Sequence, residues 1–207
     1  MPEKIAFIGG GGHALSLLDI LPSPLKAAGY VDFTANPDMP LPYLGDDNRF
    51  VDTCSAEDWE VVLTFVSGPS CDLSTRSHII SKYAAYASPV IIAPSAIVSR
   101  SAEIGGGTAV FHRAVVNARS SVGRHSVINT GAIIEHGCRL GENVFIGPGV
   151  IVCGEVSIGD DTYVGTGAIF KPGVKIASGS IIGAGTVVTR DIVVPGTYVG
   201  SPARHIR

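Results

Sequence analysis

The sequence predicts a small Rossmann-like α/β domain over residues 1–89, followed by a parallel β-helix with an extended tail over residues 90–207. Two observations carry that reading. From Ile92 onward every sixth residue is apolar: Val98, Ile104, Val110 and so on to Ile176, Ile182 and Val188, seventeen in phase, with Phe170 the only one that is not aliphatic. Four places after each stands a small or β-branched residue, such as Ala114, Ser126, Ala132, Cys138 or Thr162. A hexapeptide period of this kind marks a parallel β-helix. The first residue of each hexad points into the prism and the fifth is small because the corner is narrow. Glycines at second and fourth positions are expected to permit turns with positive φ. The second observation is that, before residue 89, apolar runs alternate with helical patterns, which implies a small parallel sheet with helices against it.

Taken in order, residues 4–8 read as a buried strand, Gly9 to Gly12 as the turn after it, and residues 13–21 (HALSLLDIL) as a helix. Residues 30–32 read as a second strand. Residues 34–50, rich in Pro, Asp and Asn, read as loop. Residues 60–66 (EVVLTFV) form a third apolar strand, closed by the turn at residues 67–70, and residues 75–87 have a helical pattern. Val90 to Ala93 hands over to the β-helix, and beyond Val188 the hexads loosen into a tail punctuated by Pro195, Gly196, Gly200 and Pro202.

Composition narrows the class. With 207 residues and 45% hydrophobic side chains the chain suits one large or two small domains with a real core. Many of the 26 glycines recur in phase with the hexads, so the bias is architectural and does not signal disorder. A net charge of −3 argues against nucleic acid or an anionic membrane as main partner. The four cysteines have neither metal nor disulfide-framework spacing. Cys138 holds an inward position and should be a buried thiol, whereas Cys153 points outward. No apolar run suits a signal peptide or a membrane span. The expectation is a soluble cytoplasmic protein.

Two motifs carry chemistry. Gly9-Gly10-Gly11-Gly12-His13 stands between a strand and a helix. Backbone without side chains can approach a phosphate there, and a helix N-terminus favours an anion. The spacing is not the dinucleotide fingerprint, although Asp32 ends the next strand and can reach a ribose or base. The bland alternative is a tight turn with a surface histidine. The second motif is Asn129-Thr130 followed by Glu135-His136-Gly137-Cys138. His136 is third in its hexad and points outward, and an imidazole is suited to take a proton near neutral pH. His112, His125 and His136 raise the question of a metal site like that of the γ-class carbonic anhydrases. Their spacing does not repeat one hexad position a coil apart, so metal catalysis is not expected.

These pieces, together with Gly200-Ser201-Pro202-Ala203, resemble the hexapeptide-repeat sugar acyltransferases, the group that includes the sialic acid O-acetyltransferases and the UDP-amino-sugar N-acetyltransferases of bacillosamine-type pathways. The resemblance covers nearly the whole chain. It implies a left-handed β-helix, a homotrimer with active sites between subunits, and acetyl-CoA as co-substrate with no metal. It implies that His136 is the catalytic base and that Asn129 lines the acceptor site. Gly11, Gly12, His13, Asp32 and Gly68 would bind the nucleotide sugar. Gly154 would offer its N–H to the thioester carbonyl, and Thr166 and Ala184 would line the coenzyme groove. Three departures stand out. Gly137 replaces an acidic residue, so an orienting carboxylate must come from Glu135 or Glu155. Phe145 stands where a second histidine near the coenzyme is usual. Phe33 replaces a second aspartate. The resulting reading is an acetyltransferase acting on the amine of a UDP-linked amino sugar. Its alternatives are an O-acetyltransferase of sialic acid or a related sugar, a non-catalytic trimer that binds a nucleotide sugar, and a metal-dependent hydratase.

Overall fold

A computed structural model describes residues 4–66 and 73–206; Gly68 and Cys71 lie outside them. The N-terminal unit is a three-stranded parallel sheet in the order β2-β1-β3, made of β1 (Lys4–Ile8), β2 (Ala27–Val31) and β3 (Trp59–Leu63). Helices α1 (Gly12–Ile20), α2 (Asp47–Thr53) and α3 (Ser74–Lys82) accompany it. The central strand buries Ile5 through Ile8, as a strand with neighbours on both edges should.

Several boundaries differ from the sequence reading. The second strand begins earlier, at Ala27, and leaves Asp32 just outside it. The third ends at Leu63, so Thr64 to Val66 bend over the glycine turn. The stretch read as loop from 34 to 50 ends in α2, whose N-cap Asp46 accepts from the Arg49 N–H at 2.8 Å. Its aspartates therefore mark a helix start, where they cap free N–H groups. The last helix stops at Lys82, five residues short of the expected end.

From Ile91 the chain winds into a triangular prism with 18 residues per coil, so each two-residue strand pairs in parallel with the strand one coil on. The first wall holds Ile91–Ile92, Ala109–Val110, Val127–Ile128, Phe145–Ile146, Tyr163–Val164 and Ile181–Ile182. The second runs from Ile97–Val98 through Ile133–Ile134 and Ile151–Val152 to Val187–Val188. The third runs from Glu103–Ile104 through Arg139–Leu140 to Lys175–Ile176. Hexapeptide repeats on three parallel walls indicate a left-handed β-helix. First-position residues from Val110 to Val188 and fifth-position residues such as Ala114, Ala132 and Cys138 fill one continuous core. Fifth-position hydroxyls bond the carbonyl fifteen residues on, as Ser120 does with Glu135 at 2.7 Å and Thr108 with Gly123 at 2.7 Å. The tail is not merely extended: Thr197–Val199 adds a strand beside Ile181–Ile182, and Arg204–His205 folds back on it antiparallel.

The glycines divide into two kinds, which corrects the expectation. Every fourth position from Gly107 to Gly185 has positive φ whatever its residue, including Arg113, His125, Asn143 and Glu155. Second-position glycines do not. They are needed because the next coil is close: a Cβ on Gly123 would lie 2.4 Å from the Gly141 backbone.

The N-terminal unit is bonded to the prism. The outer face of the first wall, with Ile91, Ala109, Phe111, Val127 and Phe145, shares a core with Ile5, Phe7, Ala14 and Leu17. Beside this apolar contact, Arg76 of α3 is 3% exposed. Its guanidinium donates to the His125 carbonyl, to Asn143 Oδ1 and, through Nε at 3.1 Å, to the Phe65 carbonyl. Ser77 and Asn143 both donate to Asp161 Oδ1, at 2.6 and 2.8 Å. Burial lowers the Arg76 pKa to about 10, against the pull of Asp161. His125 is buried too, and burial together with Arg76 and Arg124 lowers its pKa to about 4.

Candidate active site

The glycine turn is built by three interactions. Gly9 has φ +111°, and the Thr64 hydroxyl donates to the Ile8 and Gly9 carbonyls at 2.9 and 2.6 Å. A Cβ on Gly10 would lie 2.6 Å from the Tyr30 ring. Asp32 Oδ2 accepts from the Gly10 N–H at 2.8 Å and its Oδ1 from the Phe33 N–H at 2.7 Å, so this carboxylate holds the turn itself. Gly11 and Gly12 have open space where a Cβ would stand. Among the described residues, the N–H groups of Gly11, Gly12 and His13 have no acceptor. They face a cleft of about 480 Å³ at the carboxyl ends of β1, β2 and β3, where Asp47 of α2 and Thr75 and Ile79 of α3 complete the lining. A cleft at that end of a parallel sheet, with free N–H groups at a helix start, is suited to an anionic ligand.

His13 closes one side of the turn. Its ring packs on Phe111 of the prism at 5.1 Å between centroids. Burial, assisted by the Arg76 charge, lowers its pKa to about 4, and its buried Nε2 has no partner. The side chain is thus a neutral imidazole at neutral pH, wedged between the two units, and not the surface histidine of the bland reading.

His136 stands on a different part of the molecule, exposed on the edge between the second and third walls. Its ring lies over Gly154, one coil on: a Cβ there would be 2.7 Å from His136 Cε1 and 2.8 Å from Nε2. Glycine at 154 is therefore what lets the imidazole lie flat on the edge. No acceptor is found for the Gly154 N–H among the described residues. An exposed imidazole beside a free N–H donor can take a proton and stabilise an oxyanion at one spot.

The two acidic candidates separate. Glu135 Oε2 accepts from Asn117 Nδ2 at 3.0 Å, which directs its carboxylate along the wall. Among the described residues neither carboxylate hydrogen-bonds the His136 ring. Glu155 donates its N–H to the His136 carbonyl at 2.9 Å, and its Cγ lies 3.3 Å from where a Cβ on Gly137 would be. Glu155 thus occupies the space that a side chain at 137 would take. Cys138 is buried, its Sγ 3.2 Å from the Cys153 carbonyl, and burial raises its pKa, so it is a core thiol.

The remaining expected residues scatter over the prism edges. Asn129, with its Oδ1 on the Thr130 N–H at 2.7 Å, follows the first wall one coil beyond Phe111. Thr166 and Ala184 lie farther along that same edge, between the first and second walls. Phe145, expected near the coenzyme, is 8% exposed, its ring stacked on Tyr163 at 4.9 Å and packed against the N-terminal unit. His112, His125 and His136 stand on three different edges, and among the described residues no cluster of three His, Cys, Asp or Glu side chains could hold a metal ion. No helix among the described residues is long and apolar enough to cross a membrane. Sequence reasoning missed Arg76, because a polar residue in a helix gives no sign that a second unit will bury it. It also missed Asn117, whose only signal is its position one coil before Glu135.

Comparison with known proteins fits this geometry. Residues 119–154 and 155–190 match the family described as bacterial transferase hexapeptide (six repeats). The acetyltransferase domain of PglB from Neisseria gonorrhoeae FA1090, solved with acetyl coenzyme A, is 30% identical over all of both chains, with a TM-score of 0.91. A histidine-to-asparagine variant of perosamine N-acetyltransferase from Caulobacter crescentus, solved with CoA and GDP-perosamine, is 32% identical over 99% of this chain and 97% of that one, with a TM-score of 0.89. The chain belongs to the hexapeptide-repeat sugar acyltransferases. WeeI from Acinetobacter baumannii AYE shares the fold at 22% identity, with a TM-score of 0.84 over 98% of this chain and 99% of its own. A search of curated proteins returned no match. The family's hexads are the prism, and its free edge carries His136 and Gly154.

Proposed function

We propose that this acyltransferase moves an acetyl group from acetyl-CoA to the amine of a nucleotide-linked amino sugar, with UDP as the expected nucleotide. The observation that carries the reading is His136 lying on Gly154 beside an unpaired N–H. In the proposed step the sugar nitrogen attacks the thioester carbonyl while His136 takes its proton. The Gly154 N–H stabilises the oxyanion, a contribution of about 3 kcal/mol for one such donor. Collapse breaks the C–S bond, and the protonated His136 returns the proton to the leaving thiolate. General-base help of this kind gives about 10²–10⁴-fold. The relative solved with GDP-perosamine is an N-acetyltransferase, which favours an amine acceptor over a hydroxyl.

The N-terminal unit, read as a Rossmann-like domain over residues 1–89, would hold the nucleotide sugar. Free N–H groups at Gly11, Gly12 and His13 suit its diphosphate, and the buried His13 ring would support the turn from below. Asp32 then acts partly through the turn it braces. Asn129 would meet the acceptor, and Thr166 and Ala184 the coenzyme. Glu155, packed at Gly137, is better placed than Glu135 to orient His136 electrostatically. A homotrimer explains why these parts are dispersed. Within one chain the cleft lies over the first wall, whereas His136 lies on the far edge of the second. Thr166 and Ala184 occupy the near edge. Adjacent copies could set the base edge of one against the cleft and coenzyme edge of another. Thiol release from acetyl-CoA, measured with a panel of UDP- and GDP-linked amino sugars and with free sialic acid, tests the reading. Release only with sialic acid, or with none of them, would overturn it.

A further inference from the structure

We infer that Phe33 is the nucleobase platform of the cleft, an aromatic surface on which the base of a nucleoside diphosphate stacks. The inference rests on the proposed nucleotide-sugar function and extends it to one binding residue. Phe33 is the most exposed large hydrophobic side chain among the described residues, at 86%. Exposure of this degree is unusual for an aromatic ring, whose burial is worth more than that of most side chains. Its position is not random: it lines the cleft, next to Asp32, whose carboxylate accepts from both the Gly10 and the Phe33 N–H.

The backbone that carries the ring is fixed although the ring is not covered. The Phe33 N–H donates to Asp32 Oδ1 at 2.7 Å, and the Tyr43 hydroxyl donates to the Asp32 carbonyl at 3.1 Å and reaches the Phe33 carbonyl at 3.5 Å. Tyr43 in turn packs on Tyr30, with centroids 5.5 Å apart, and Tyr30 lies under Gly10. One connected set of contacts therefore sets both the phosphate-facing turn and the orientation of the segment bearing Phe33. A ring presented on a rigid support loses little entropy when a flat ligand covers it.

The order of groups along the cleft matches the order of parts in a nucleoside diphosphate. A diphosphate on the N–H groups of Gly11 to His13 puts the ribose toward the end of β2, where Asp32 stands. The next group outward is Phe33. Among the described lining residues Asp47 accepts from the Tyr83 hydroxyl, Thr64 donates to the Ile8 and Gly9 carbonyls and Asp32 braces the turn, so the uncovered Phe33 ring offers a base stacking on this side of the cleft. Stacking accepts any base, because every base has a π-face. The site should therefore bind UDP and GDP through the same residue and gain more from the larger guanine.

Calorimetry on the full chain tests this with UDP, GDP and inorganic pyrophosphate, for the wild type, Phe33→Ala and Phe33→Tyr. We expect Phe33→Ala to weaken UDP and GDP by about 5- to 150-fold, the size of one lost base–aromatic stack. Pyrophosphate and acetyl-CoA should bind as before, and Phe33→Tyr should stay close to wild type. The exposed ring makes no packing contact whose loss would unfold the chain, so melting temperature and oligomeric state should not move. Unchanged nucleotide affinity in Phe33→Ala would overturn the inference, as would an equal loss for pyrophosphate. A dissociated oligomer in Phe33→Ala would mean the ring docks on another copy, which also overturns it. If nucleotides bind and respond as expected but no nucleotide sugar is acetylated, the functional reading fails and the nucleobase platform stands.

Discussion

Adding one methyl group at Gly154 should disable the base without unfolding the protein. The Cβ of Gly154→Ala would stand 2.7 Å from His136 Cε1 and 2.8 Å from Nε2, where ordinary contact begins at 3.4 Å. The ring must retreat by about 0.7 Å or swing off the edge. Because the obstruction is the far end of an exposed side chain, the fold can yield cheaply there, and the stability change should stay within about 0.5 kcal/mol. Catalysis cannot yield so cheaply: a misplacement approaching 1 Å can cost about 10²-fold. Steady-state thiol release should show kcat reduced by roughly 10- to 100-fold, with the KM for the nucleotide sugar little changed because the added methyl group does not alter the glycine turn that would hold the nucleotide. A second comparison isolates the cause. In a His136→Ala background the same methyl group has no ring to displace and should cost almost nothing further, a non-additivity that reports contact. Full activity in Gly154→Ala, or the same loss with and without His136, would refute the reasoning.

Other expectations follow from the same structure. His136→Ala should lower kcat by about 10²–10⁴-fold with an unchanged melting temperature, which thermal scans and stopped assays check together. Glu155→Gln should lower kcat more than Glu135→Gln, because Glu155 packs at the Gly137 turn beside His136 whereas Glu135 is turned to Asn117; equal losses in the two variants would remove the distinction. His13 and His125 are held near pKa 4 in the fold and return to 6.5 on unfolding. The unfolded chain therefore takes up protons that the folded chain refuses, and stability falls as pH drops from about 6.5 to 4, by at most about 1.4 kcal/mol per pH unit for each residue. Urea midpoints across that range should show this slope lessened in His125→Gln. Arg76→Ala leaves Asn143 and the His125 carbonyl facing an empty buried site, and chemical denaturation should register a loss of about 1–3 kcal/mol for each acceptor left unpaired.

The prism was legible because a period enforced over seventeen hexads leaves little else for the chain to do. The inward set from Val110 to Val188 and the buried Cys138 follow from phase alone. What the phase does not contain is the distance between coils. Gly123 and Gly141 looked like turn residues, yet they serve close approach, and only the fourth positions carry the turn. Helix α2 was hidden because aspartates signal a loop and a helix cap equally well. In the site, His136 was readable as an outward residue, whereas Gly154, one coil on, was named only through the family resemblance. Which carboxylate attends His136 was not readable, since Asn117 removes Glu135 through a side-chain bond between coils. Arg76 and Phe145 were unreadable for a related reason: each is buried by contact between the two units, which no local pattern encodes. That shared core also bears on truncation. Removing residues 1–89 would bare Ala109, Phe111, Val127 and Phe145, so an isolated prism is expected to aggregate.

In the proposed assembly the cleft of one copy works with the His136 of another, and complementation tests this directly. Gly11 has open space around it, so Gly11→Trp should plug the cleft while leaving the fold intact. His136→Ala should remove the base while leaving the cleft intact. Each variant alone should be nearly inactive in thiol release with a nucleotide-linked amino sugar. Co-expressed or refolded together at equal amounts, random assortment leaves about a quarter of the sites with an open cleft facing an intact base. Recovery of about that fraction of wild-type activity is the predicted result. A mixture as inactive as its components, with mixed oligomers verified by mass spectrometry, would contradict the shared site.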